Sequence, residues 1–598
     1  MTMMDAGVKH RTKVRVFGKL FSERHLLLLA SGIFFVLYGL FLGICIPCHL
    51  WYFEQTQLFS FNLDYLIGFL ARPGKPLEYL GSFLVQFFYY PWLGAFLLTA
   101  VGVLLFILIR SCLKKLNILG LLWSFLPILG LLMLQTNLHY SSVYSFHLIV
   151  VLLCFRLYLE VDNQWWRLAG FTFCWPLLFW LVGAYAFVFL ALCFLVTLKE
   201  VQKLPHMLLP LGYCLLSFGW LAVGYYGVFQ LPFDVFLGYP FIQMDQSLYG
   251  WGIANLLYLP ALLIVGWLVP LQIRKAWLAW NFKTIGLTVV LLSVAFWGVS
   301  HYGLNKKQEL ILKMDYYVQQ EQWNKVLELG KSYPGVNQLV VYYTNLALSK
   351  QGLLTTQLFD YPQIGSKGLR LRWERNRLAS LLGGEVFYQL HYYNEAFRWA
   401  FESSVSNGLN PRALKRMAQT SLANGHLELA QKYVSLLEET LFYRNWAFRF
   451  REQIEQAAST PLLRIVNYPF QVHRDFTSDI RGFDLKVDEL LQNCPENDVA
   501  FDYCTASLLL DKKLEELKEL VLKNPDRFSG QLDGQLAEAV LLYQNLNGKS
   551  LDEIQVEPAV YRRFEEFARA LSRNRGKRAA YQLEAAFGTT FWYYFYFY

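Results

Sequence analysis

Up to about residue 303 the chain is written in long apolar runs, at 26–50, 83–109, 171–198, 208–229, 253–271 and 285–299, parted by short polar breaks. A bilayer core of roughly 30 Å takes about 20 apolar residues in a helix. The first half therefore predicts a polytopic α-helical membrane domain. Beyond 303 the apolar positions recur at helical spacing inside charged sequence, which predicts an attached, all-α soluble domain. Its short helices are expected at about 308–332, 337–351, 386–407, 411–424, 427–438, 442–457, 485–493, 498–509, 513–523, 534–546, 557–573 and 577–586, parted by Gly, Pro and Asn.

Loop charges orient the first half. Residues 1–303 hold 18 Lys and Arg against 10 Asp and Glu, whereas the remainder holds 36 against 35. Retention of cationic loops on the cytoplasmic side accounts for that excess. The nearly neutral second half has no basic stripe for a polyanion, so nucleic acid is not an expected partner. Clusters at 9–24, 110–115, 156–167, 199–203 and 274–283 should all lie inside. The apolar run between Arg167 and Lys199 must then cross twice, as two short helices turning near Gly183-Ala184-Tyr185. Nine spans result, at about 26–52, 81–109, 116–134, 143–158, 168–181, 184–198, 206–229, 251–272 and 284–302, with an exported carboxyl half. An eight-span alternative treats 168–198 as one tilted helix. The expected organisation is a basic cytoplasmic segment at 1–25, a membrane domain at 26–303 with an outer loop at 53–80, tetratricopeptide-like hairpins at 304–460, and a helical region with an aromatic tail at 461–598. The address is a bacterial inner membrane, with the bilayer as first partner and the soluble part in the periplasm.

The first span lacks a signal-peptide cleavage site and reads as uncleaved. Gln322-Trp323 with Tyr342, and Gly425 to Ala430 with Tyr433, resemble the tetratricopeptide pattern in a degenerate form, so an irregular α-solenoid is expected rather than a regular array. The terminal run Phe591-Trp592-Tyr593-Tyr594-Phe595-Tyr596-Phe597-Tyr598 is expected to rest at a bilayer interface or to pack as an extended strand across the helices. Cys45-Ile46-Pro47-Cys48-His49 matches the C-x-x-C-H spacing, but it continues an apolar helix, and helix-terminal packing is the expected role. Cys494 and Cys504 are candidates for one disulfide or for two buried thiols.

Candidate chemistry concentrates in the outer loops. Residues 62–70 read as an amphipathic helix lying in the interface, and 72–78 as a turn returning to the second span. Asp64 or Glu78 is thus held at the membrane surface beside Arg72 and Lys75. A carboxylate there can serve as general base on a hydroxyl while a cation steadies a lipid phosphate. His139 and Asp234, in the other two outer loops, are candidates for the rim of an acceptor site. Glu78 is a substitute for Asp64 as base or a metal ligand; no metal-ligand cluster is assigned from the sequence, and the cofactor is left open. The spans carry almost no ionisable residues, which disfavours an ion-coupled carrier.

An inside amino terminus, a first outer loop of interfacial helices carrying Asp64, paired short spans at 168–198 and an exported carboxyl-terminal domain together resemble the GT-C class of membrane glycosyltransferases. That resemblance implies transfer of a sugar from a polyprenyl-phosphate donor to an extracytoplasmic glycan, lipid or protein, with Asp64 as the acidic residue of the first loop. Many members of that class show adjacent acidic residues there, whereas Asp64 stands between Leu63 and Tyr65. The segment 72–91, the helical-hairpin tail and the aromatic end also resemble an uncharacterised family of bacterial multi-pass proteins. The alternative of a different class is a non-enzymatic scaffold or assembly factor that binds a periplasmic partner through its helical array.

Overall fold

The computed structural model describes residues 13–16, 19–116, 118, 121–200, 208–268, 282–372, 377–459, 487–528, 531–548, 555–573 and 577–598. The cationic clusters expected at 9–24, 199–203 and 274–283 lie wholly or partly outside them. The chain forms two compact units, Met1–Asn305 and Lys306–Tyr598. Among the described residues it is helical except for two small ladders, an antiparallel pair Lys13–Val16 with Lys19–Ser22 and a parallel pair Gln531–Leu532 with Gln555–Val556.

Among the described residues of the first unit, five helical segments are long and apolar enough to cross a membrane: Leu28–Cys45, Pro91–Lys115, Gln164–Glu200, Leu209–Val228 and Gln246–Val265. Trp123–Gln135, Val143–Tyr158 and Val289–Tyr302 are apolar but shorter. Nine full-length crossings are therefore more than the structure clearly supplies. The first helix shows what the apolar composition is for. Phe34, Tyr38 and Leu42 are buried, while Leu29, Ile33, Val36, Leu40 and Ile44 stand exposed along the opposite face. A helix apolar all round with only one side packed needs an apolar solvent on the other.

Two local breaks depart from the simple span pattern. The run expected at 81–109 divides at Pro91, because Tyr90 before it is held extended (φ −106°, ψ 101°), and the helices Pro76–Val85 and Pro91–Lys115 result. The long segment Gln164–Glu200 is also not one rod. Gly183 (φ +56°) interrupts it between Gln164–Val182 and Ala186–Glu200. The Phe171 and Phe189 rings then stack at 5.6 Å. On a continuous helix those residues would stand about 27 Å apart, so the chain doubles back at Gly183.

That hairpin sorts the loops to two ends. At one end Arg167 pairs with Glu200 at 2.6 Å and Lys115 with Glu160 at 3.0 Å, with Arg156 on the same carboxylate. At the other end lie the Gly183 turn and the loops around Gly74 and Tyr239.

The second unit is built from helices in sequential antiparallel contact. Four of its turns share one backbone form. Glu321, His391, Gly425 and Lys512 take left-handed φ of 54°, 61°, 81° and 59°. The residue after each has ψ between 63° and 75°. Its N–H closes back five residues, as from Gln322 to the Tyr317 carbonyl at 2.9 Å and from His426 to the Ser421 carbonyl at 2.8 Å. These closures split the helices expected at 308–332 and 386–407 into Lys306–Gln319 with Trp323–Ser332, and Glu385–Gln389 with Tyr393–Asn407.

A buried ionic cluster joins the turns. Arg412 grips Asp315 with both terminal nitrogens at 2.7 and 2.9 Å, Tyr343 donates to the same carboxylate at 2.5 Å, and Arg416 pairs with Glu385 at 2.7 Å. The aromatic end is a helix, Phe591–Phe597, rather than a strand. Thr590 caps it by accepting from the Tyr593 N–H. Its inner face is packed: the Glu538 carboxyl group accepts from the Phe591 N–H at 2.6 Å, Trp592 donates to the Glu538 carbonyl at 2.7 Å, and Tyr594 donates to the Leu510 carbonyl at 3.0 Å. Cys494 and Cys504 are both buried in this unit.

Candidate functional site

The segment Arg72-Pro73-Gly74-Lys75-Pro76 is a turn because two prolines fix its ends and Gly74 takes φ +80°, which a side chain would resist. Its backbone is tied down on both sides. The Gly74 N–H donates to the Trp180 carbonyl at 2.8 Å, and His147 Nε2 donates to the Gly74 carbonyl at 2.9 Å. Pro76 starts the next helix, which places Glu78 in its first turn, where a negative charge is favoured.

Glu78 is the centre of the cluster. Lys75 Nζ lies 3.3 Å from Glu78 Oε2, and the Tyr239 hydroxyl donates to the same oxygen. Burial first, and the adjacent carboxylate second, push the Tyr239 phenol well above its ordinary range, so it stays protonated as the donor. Both partners use Oε2. Glu78 Oε1 has no protein partner among the described residues, and the side chain is partly open to solvent.

Tyr239 comes from the loop before the Gln246–Val265 segment, 161 residues away. Its position is fixed by close packing against two glycines. Its carbonyl accepts from the Ala184 N–H at 2.9 Å. A Cβ on Gly74 would sit 2.5 Å from the Tyr239 ring, and one on Gly183 would sit 2.5 Å from the Tyr239 carbonyl oxygen. A column of rings completes the junction, with His147 stacked on Tyr185 at 5.2 Å and Tyr185 on Phe241 at 5.0 Å.

Of the six residues expected from sequence, only Lys75 and Glu78 are brought together. Asp64 is exposed on the helix Leu63–Leu70, where its N–H caps onto Asn62 Oδ1 at 2.9 Å. Arg72 is exposed and makes no ion pair among the described residues. His139 and Asp234 are exposed as well. His139 is held through its backbone: Asn137 accepts from its N–H at 2.9 Å and donates to Ser247 at 3.1 Å, which in turn donates to Asp245 at 2.6 Å. Tyr239, His147 and Gly74 were not singled out in the sequence. The only local signals were an aromatic-proline pair at 239–240 and a glycine between two prolines.

Next to this cluster lies an apolar groove of about 620 Å³, lined by Leu70 and Ala71 and by Trp175, Trp180, Trp220 and Val228 from two of the apolar helices. Trp180 donates its indole N–H to the Leu70 carbonyl at 2.9 Å. Among the described residues no group of three or more His, Cys, Asp or Glu is placed to hold a metal ion. Cys45 and Cys48 flank the Ile46 break between helices, and His49 is buried with its ring edge-on to Phe53 at 5.0 Å.

No curated protein and no solved structure matches the chain. A family model does match, over residues 24–598, and its description is a family of unknown function. That match spans nearly the whole sequence, both units included, and the chain belongs to that family, DUF6057.

Proposed function

We propose that this is a multi-pass protein of the bacterial inner membrane that transfers a sugar from a polyprenyl-phosphate donor, with Glu78 rather than Asp64 as the general base. The observation that carries this reading is the division of labour on Glu78. One oxygen is anchored by Tyr239 and Lys75, and the other is left open at the end of the helices. A base needs that arrangement: a fixed orientation with a lone pair still available. Lys75, engaged with Glu78 through one contact, retains N–H donors for the donor phosphate.

Topology supports the address. With Gln164–Glu200 counted as two legs and the three shorter helices included, the described residues hold nine apolar legs. The Arg156, Arg167 and Lys115 end then lies in the cytoplasm, and the Glu78 end with the carboxyl-terminal helical array lies outside. A deletion strain complemented with wild-type, Glu78→Gln and Asp64→Asn chains tests the chemistry through its envelope glycan and glycolipid profile. Glu78→Gln is expected to reproduce the deletion at normal protein level, and Asp64→Asn to restore the profile. Restoration by Glu78→Gln sinks the transferase reading.

A scaffold role is the second reading, and one observation favours it. Phe401 and Val405 on the helix Tyr393–Asn407, with Leu409 just beyond, leave an exposed apolar stripe on the second unit. Under that reading Phe401→Ser with Val405→Ser removes function while Glu78→Gln does not.

A further inference from the structure

We infer that the groove beside the Glu78 cluster is a resident site for one acyl chain of an anionic glycerophospholipid, whose phosphate rests on Arg72. Three observations meet there. The volume of about 620 Å³ and the lining of Leu70, Ala71, Trp175, Trp180, Trp220 and Val228 suit a hydrocarbon chain and offer almost nothing to a polar ligand. Arg72, directly after the lining residue Ala71, is exposed and makes no ion pair among the described residues. An unpaired guanidinium at the lip of an apolar groove is matched by a lipid phosphate, which it binds through two parallel hydrogen bonds.

The third observation selects the kind of lipid. A groove of about 620 Å³ suits one acyl chain of a glycerophospholipid, whereas a polyisoprenyl carrier chain is several times longer and overfills it. Three indoles around one groove also match the level at which Trp is enriched, beside the ester and headgroup region of a bilayer. This lipid is separate from the sugar donor proposed above, and its binding stands whether or not any group is transferred.

The test uses the purified full-length chain in detergent with a phosphatidylglycerol carrying a diazirine in one acyl chain. Crosslinks are expected to concentrate in 175–180 and 220–229. Unlabelled phosphatidylglycerol should compete about fivefold better than phosphatidylcholine, and Arg72→Gln should bring the two within about twofold. Val228→Trp, at a position exposed in the groove wall, should reduce labelling about fivefold by filling the space. Val223→Trp serves as the second filling variant if the first elutes as aggregate. Labelling spread over all the apolar helices and untouched by these substitutions would mean annular lipid only and overturn the inference. Stronger competition by a polyprenyl phosphate than by phosphatidylglycerol would overturn it too, in favour of the isoprenoid.

Discussion

Replacing Asp315 by Asn should be among the most damaging single changes in the second unit. The Asp315 side chain is 1% exposed and takes a two-pronged grip from Arg412, itself 8% exposed, at 2.7 and 2.9 Å. At an effective dielectric constant of 20, unit charges that close attract by about 6 kcal/mol before the cost of desolvating both is subtracted. The neutral amide forfeits that attraction while Arg412 stays charged and buried, and it turns an acceptor-only group, which also serves Tyr343, into one half made of donors. The expected loss is about 3–5 kcal/mol, the range for breaking a buried pair from one side. Chemical denaturation of the full chain in detergent, followed by labelling of the buried Cys494 and Cys504 thiols, reads it. The Asp315→Leu, Arg412→Met double variant should recover most of the loss, because it removes both desolvation costs together. A loss below about 1 kcal/mol for Asp315→Asn, or a double variant no better than either single one, would refute the argument that an uncompensated buried charge sets the cost.

Glu321→Gly should raise stability by about 0.5–1 kcal/mol by relieving a left-handed residue, whereas Lys512→Gly should lower it. Lys512 Nζ holds the Phe595 carbonyl at 3.0 Å and lies over the Tyr594 ring, and thermal melts of the two variants compare the effects. Burial pushes the Glu538 carboxyl up to about 8, so its folded form keeps a proton that the unfolded chain has already lost. Stability from this group is therefore full below about pH 4.5 and declines up to about pH 8; Glu538→Gln should abolish that slope in melts from pH 5 to 9. Gly74→Ala should cost about 2 kcal/mol or more, since its Cβ would lie 2.5 Å from the Tyr239 ring at φ +80°, and a melt unchanged from wild type contradicts the packing at that glycine.

The membrane-like half was legible because apolar runs are long and tolerate no substitute, and the turn at Gly183 was legible because glycine interrupts one of them. The helix breaks at Glu321 and His391 were not, whereas the one at Lys512 falls where the sequence already parted 498–509 from 513–523. Only Gly425 announces its left-handed turn in sequence; the other three accept the strain because the helices on either side fix the closure. The ordering of the site was hidden for a different reason. Loop position favoured Asp64, whereas what orders a carboxylate here is Tyr239, and no local pattern at Glu78 reports a partner 161 residues along the chain.

That long separation has a consequence in time. Ribosomes add about 5–20 residues per second, so roughly 8–30 s pass between the synthesis of Glu78 and that of Tyr239. Through that interval Glu78 has Lys75 but not its Tyr239 anchor, and the place beside Gly74 and Gly183 that the Tyr239 loop fills has yet to receive it. The nascent chain thus carries an incomplete centre while its earlier helices are already inserting, and the last piece of that centre arrives with the loop that precedes the Gln246–Val265 helix.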